Sequence, residues 1–170
     1  SGVNAIRGWS DSSYITVANG TGAFVSEQEI VYDPASYDDY GNPERQTITG
    51  FNESKDVLTY KEITNSYSGI NAIRGFSDSS TIINKTYDGG AFVSKQIISY
   101  GDYDDYGNAI EQAITSFKEN GEELDYKETF TSYEAGVNSI LGFASSSNAY
   151  NYTDSSKSNL IDRQLVVFSG

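Results

Sequence analysis

The phrase S-G-V-N-A-I-R-G-W-S-D-S-S, from Ser1 to Ser13, returns at Ser68–Ser80 with only Val3 changed to Ile70 and Trp9 to Phe76. A third copy, A-G-V-N-S-I-L-G-F-A-S-S-S, runs from Ala135 to Ser147, so that Gly2, Gly69 and Gly136 open the copies at intervals of 67 residues. Repetition at a fixed period points to a row of like units, each burying its apolar face against its neighbours, rather than to one undivided globule. The expected division is residues 1–67 as a first repeat, 68–134 as a second, and 135–170 as a partial third.

Within a repeat the apolar residues alternate as they do in strands. Val3–Trp9 leads into the β-branched and aromatic run Tyr14–Ala18, which ends at Asn19-Gly20-Thr21-Gly22, and is expected to form a hairpin or a bent strand. Ala23–Tyr32 recurs as Ala91–Tyr100 with β-branched residues where a helix favours Leu or Ala. Arg45–Phe51 and Ala109–Phe117 form a third segment, and Leu58–Tyr67 and Leu124–Tyr133 a fourth. The predicted fold class is therefore all-β, antiparallel strands in tandem repeats of about 67 residues. Asn120-Gly121 suggests a tight hairpin with both central residues at positive φ. The first repeat carries Asn52-Glu53-Ser54-Lys55 there, so the two loops are expected to differ in shape.

The last copy ends early. Leu160–Phe168 falls in step with Phe92–Tyr100, and the third and fourth segments do not follow within the 170 residues. A strand left without its next partner exposes a row of N–H and C=O groups. Leu160, Leu165, Val167 and Phe168 are the expected assembly edge. At the head of the copies Trp9, Phe76 and Phe143 hold one position, always aromatic, and Ile6, Ile73 and Ile140 another; these six are the expected packing residues of the joint between repeats. Arg7 and Arg74 become Leu141 in the third copy, which favours a buried or stacked structural arginine that pairs with Asp11 or Asp78 over a ligand-binding one.

A second phrase, Y-D-D-Y-G-N, occurs at Tyr37–Asn42 and at Tyr103–Asn108. It has the composition of a turn: a glycine for a left-handed residue and an aspartate to accept nearby N–H groups. At Tyr37–Tyr67 and Tyr103–Tyr133 the chain resembles the Rhs-type tyrosine-aspartate repeats of large bacterial surface proteins, whose units carry Y-D-x-x-G ahead of an alternating strand pair. That resemblance implies strips of antiparallel sheet; the longer period and the added S-G-x-N-A-I-R-G half depart from it, and no toxin activity is carried over. The same loops raise calcium as a cofactor, through Asp102, Asp104, Asp105 and Asn108 and through Asp33, Asp38, Asp39 and Asn42. Neither has the D-x-D-x-D-G spacing with a closing Glu, so a solvated turn with no cofactor is preferred.

Charge narrows the partners. With 24 acidic against 11 basic residues the net charge is −13, which repels nucleic-acid phosphates and anionic lipid. No apolar stretch has the length of a membrane-spanning helix, so membrane insertion is not expected. The absence of Met, even at position 1, suggests a processed chain or a piece of a longer one, for which removal of a secretory signal would account. His and Cys are both absent, which removes the commonest general base and the thiol nucleophile, and no enzyme activity is expected. Four Asn-x-Ser/Thr sequons, at Asn19, Asn52, Asn84 and Asn151, are candidate glycosylation sites in an extracellular protein, three of them expected in one recurring loop. Together these features point to an extracellular structural protein that pairs strands with copies of itself to build a filament. The alternative is a glycan- or protein-binding module of a bacterial surface adhesin.

Overall fold

The computed structural model describes residues 9–134 and 136–168. Its strands are β1 (Ser12–Ala18), β2 (Phe24–Tyr32), β3 (Arg45–Phe51), β4 (Val57–Ser66), β5 (Ser79–Lys85), β6 (Phe92–Tyr103), β7 (Ala109–Phe117), β8 (Glu123–Tyr133), β9 (Ala144–Tyr152) and β10 (Leu160–Val167). Two short helices interrupt them, α1 (Gly69–Arg74) and α2 (Val137–Ile140). The fold is all-β: one antiparallel sheet of ten strands whose order follows the chain from β1 to β10. The chain divides into two compact units, one ending at Lys95 and the other starting at Gln96.

In the first unit the alternation of the sequence becomes two chemically different faces. Ile30 lies opposite Ile48 across β2 and β3, and Ile63 opposite Ile82 across β4 and β5, on one face. Cross-strand pairs of β-branched residues are a favourable element of any such sheet, at about 0.2–1 kcal/mol each. The other face carries polar pairs instead: Tyr14 donates to Glu29, Lys55 meets Glu27 at 2.5 Å, and Lys85 meets Glu62 at 2.6 Å. In the second unit Tyr126 lies opposite Tyr152 and Glu128 opposite Tyr150, with Phe130 edge-on to Tyr150 at 6.1 Å between ring centres. Arg163 sits 5.1 Å above the Tyr150 ring, a cation–π arrangement.

Neither face is deeply covered. Among the described residues only Tyr60, Ala72 and Ala149 are buried apolar side chains, and none is wholly inaccessible. An antiparallel sheet ordinarily packs one face on a core. Here the half-buried isoleucines and tyrosines shelter mainly beside their cross-strand neighbours.

Two sequence expectations are corrected. The phrase at Ser68–Gly75 is not one of the β-rich segments expected of each repeat: it forms α1, which starts after an extended Ser68 and ends at Gly75, with φ 77°, while Val3–Gly8 of the first copy lie outside the described residues. Gly75 N–H bonds to the carbonyl of Ala72, and Phe76 N–H to that of Asn71, the paired closure of a Schellman helix end. The isoleucines at i and i+3 read equally well as a short helix face or as strand residues, and the glycine after Arg74 settles the conformation as helical.

The two loops between third and fourth segments also prove alike. Gly121 N–H bonds to Lys118 C=O at 3.0 Å, and Lys55 N–H to Asn52 C=O at 3.0 Å. Among the loop residues only Gly121 (φ 85°) and Lys55 (φ 69°) adopt positive φ, so Asn120-Gly121 is not the tight two-residue turn its composition suggests. The register slip between Ser116 and Phe117, matched between Gly50 and Phe51, accommodates the longer loop. A Cβ at Gly121 would meet nothing within 4 Å, so Gly121→Ala isolates the backbone cost. It is expected to lower stability by about 1 kcal/mol in a urea titration, and an unchanged midpoint would contradict the left-handed geometry.

Candidate functional site

The two repeated phrases meet through hydrogen bonds, and they do so once in each unit. In the first, the Asp38 carboxylate accepts the N–H groups of Tyr40 and Asn42 at 2.9 and 2.8 Å, and the Asn42 side-chain amide at 2.8 Å. The same amide donates to the carbonyl of Ala72, at 2.6 Å, in the last turn of α1. A helix end has carbonyls without intrahelical partners, so Asn42 acts as a cap from a distant loop. Trp9 stacks on Tyr37, 4.7 Å between ring centres, and packs against Gly41 so closely that a Cβ there would displace the indole. The Tyr37 hydroxyl donates to the carbonyl of Ser10.

In the second unit Asp104 accepts from the backbone of Tyr106 and Asn108, each at 2.9 Å, and from the Asn108 amide at 2.7 Å. Ser139 Oγ adds a fourth donor at 2.9 Å, and the Asn108 amide donates on to the Ser139 carbonyl at 2.7 Å. Desolvation pushes the Asp104 carboxyl upward, but donors from Asn108, Ser139 and Tyr106 outweigh it and hold the group at about 2. At Asp38 desolvation is likewise opposed by Asn42, Tyr40 and Gly41, and its pKa lies below the ordinary value. Asp38 and Asp104, two of the residues named for calcium, thus accept bonds chiefly from their own loops. Among the described residues no group of three or more acidic side chains is placed to hold a metal ion.

The expected joint residues that are described differ in exposure. Trp9 and Phe76 are half-buried, the latter under the Arg74 guanidinium at 4.7 Å. Arg74 is exposed, and Asp78, the acidic partner expected for it, accepts from the Asn71 amide at 2.8 Å. Ile73, Ile140 and Phe143 are exposed, so packing of these three requires contact with something beyond the described chain. Ile6 lies outside the described residues.

The residues of the expected assembly edge lie on and next to β10. Among the described residues β10 pairs with β9 alone, in register Arg163↔Tyr150 and Leu165↔Asn148. Every residue of β10 is exposed, Leu165 by 59% and Val167 by 69%, and Leu160 and the adjoining Phe168 are exposed as well. Among the described residues the opposite edge is β1, where Tyr14, Ile15 and Val17 are exposed.

The sequons do not share one loop. Asn19 opens the β1–β2 connection, and its side-chain oxygen accepts from the backbone of Thr21 and Ala23. Asn84 and Asn151 instead lie within β5 and β9, whose strands extend further than their composition suggests. Their amides are engaged, Asn84 with Ser94 Oγ at 2.8 Å and Asn151 with Asp162. Asn52 begins the β3–β4 turn and bonds Asp56 through both ends of its amide.

Comparison with protein-family models, curated proteins and solved structures finds no match. No described helix is long and apolar enough to cross a membrane. The described residues offer two loop-to-helix clasps and two strand edges.

Proposed function

We propose that this chain is an extracellular structural protein, a subunit or segment of a filament assembled by strand pairing between units that repeat about every 67 residues. One observation carries the proposal: among the described residues β10 is an edge strand, exposed and largely apolar. Soluble proteins usually protect such an edge with proline, several lysines or a cover. β10 has no proline or lysine, and Asp162 and Arg163 are its only charges. The repeated clasps at Asn42 and Asn108 support equivalent repeat units, because each ties a Y-D-D-Y-G-N loop to the next S-G-x-N-A-I-R-G-type segment. The Rhs-type resemblance and the sequons are compatible with a cell-surface setting, and no catalytic step is part of the proposal.

The purified chain is expected to form particles that grow with concentration, visible by light scattering and negative-stain microscopy. Deleting residues 160–168 should leave monomers. Compact monomers of the intact chain at every concentration would overturn the assembly proposal.

A second function, glycan binding by a surface adhesin, draws support from the aromatic face of the second unit, where Phe130, Tyr150 and Tyr152 stand beside Arg163. Flat aromatic surfaces with polar rims suit sugar rings. A glycan array on the intact chain would reveal it.

A further inference from the structure

We infer that the open edge of β10 is matched to one kind of partner strand: an antiparallel segment reading Gln-x-Ile-Thr-x-Phe, docked with its Ile opposite Val166, from a polypeptide that presents this segment unpaired. The inference deepens the assembly proposal and rests on it for its biological sense.

The observation behind it is that β10 repeats the chemistry of β2. Gln28, Ile30 and Tyr32 alternate along β2, and Gln164, Val166 and Phe168 alternate in the same spacing along β10 and just beyond it. The hairpin partners also agree in register: β1 places Ile15 opposite Gln28 and Ser13 opposite Ile30, while β9 places Ala149 opposite Gln164 and Ser147 opposite Val166. The two strands thus present the same order of side chains on their free sides.

On its free side β2 accepts β3, with Ile30 opposite Ile48, Gln28 opposite Gly50 and Tyr32 opposite Gln46. β3 reads Gln46-Thr47-Ile48-Thr49-Gly50-Phe51, and β7 reads Gln112-Ala113-Ile114-Thr115-Ser116-Phe117. In the second unit the Gln96 amide reaches Ser116 Oγ at 3.5 Å, the positional counterpart of Gln28 opposite Gly50. A Gln-x-Ile-Thr-x-Phe strand thus lies beside a strand of the β2 kind in both units. β10 is the third strand of that kind, and among the described residues its free side has no such neighbour.

Transferring the β2–β3 register puts the incoming Ile opposite Val166, the small residue opposite Gln164 and the Gln opposite Phe168. Main-chain bonds supply the attraction and the alternating side chains set the register. Among the described residues β3 and β7 are already paired on both sides, so the docked segment is one presented as a free strand.

Because the chain contains no cysteine, a disulfide between engineered positions is unambiguous. The intact chain carrying Val166→Cys would be mixed with a synthetic peptide of residues 109–117 carrying Ile114→Cys, and cross-linking followed by mass spectrometry. A Leu165→Cys chain, whose side chain points to the other face, serves as the register control. A peptide that also carries Ala113→Pro tests main-chain pairing. Both chain substitutions fall on exposed residues of an edge strand, so the sheet should persist, which circular dichroism checks.

Cross-linking at Val166 is expected to be about tenfold faster than at Leu165, and about tenfold slower with the proline peptide. Equal rates at the two positions, indifference to proline, or no cross-link would each overturn the inference. Particle size without peptide reports separately on assembly. Fibres that ignore the peptide would sink this inference alone, and monomers that capture it in register would sink the filament proposal alone.

Discussion

Replacing Gly41 with alanine should cost about 2–4 kcal/mol and should free the only tryptophan of the chain, shifting its emission to the red. Two separate penalties combine at this position. Gly41 has φ 92°, a conformation that an L side chain adopts only with strain. In addition, its Cβ would stand 2.5 Å from Trp9 Nε1 and 3.1 Å from Cε2, so the indole must leave its stack on Tyr37. Gly22→Ala provides the comparison: φ is 82° there, but nothing lies within 4 Å of the added carbon. That control should lose about 1 kcal/mol with no change in fluorescence. Equal losses for the two variants would show that the Trp9 stack contributes nothing.

Asp104→Ala should cost about 2 kcal/mol, because four donors lose one acceptor at a half-buried position where water replaces only part of the loss. The same carboxylate sets an acid limit. Its pKa is lowered from 3.8 to about 2 in the folded chain, so its stabilisation is fully present above about pH 4 and is lost as pH falls towards 2. The melting temperature of the unaltered chain should therefore decline over that interval, and that of Asp104→Ala should decline less. Asp38 is shifted in the same direction, so some slope should remain in the variant. Parallel curves for the two proteins would contradict the role given to Asp104.

Much of the sheet is legible in residue alternation. The Ile30–Ile48 and Ile63–Ile82 pairs come from segments whose β-branched and aromatic spacing already excludes long helices. The aspartate-glycine turns are equally plain, since Asp38 and Asp104 accept the N–H groups that such loops offer. The clasp is not, because Asn42 and Ala72 lie far apart in the chain and no local pattern announces their bond. α1 could have been found from Gly75 and its equivalent Gly142, which follow the last helical residues as C-terminal caps do. The sequon positions erred because strand ends depend on pairing: Asn84 faces Lys61 and Asn151 faces Lys127 across continuous ladders. Asn120-Gly121 misled because turn composition leaves loop length open, and the slip at Phe117 decides it.

The order of the strands also governs how such a sheet comes into being. Since each strand lies beside its predecessor in the chain, every pairing closes only a short loop, and the entropy lost at each step is small. Chains rich in near-neighbour contacts reach their native state faster than those that must match distant segments. Each completed hairpin offers the edge on which the next strand of the chain can pair, so the sheet can grow in chain order.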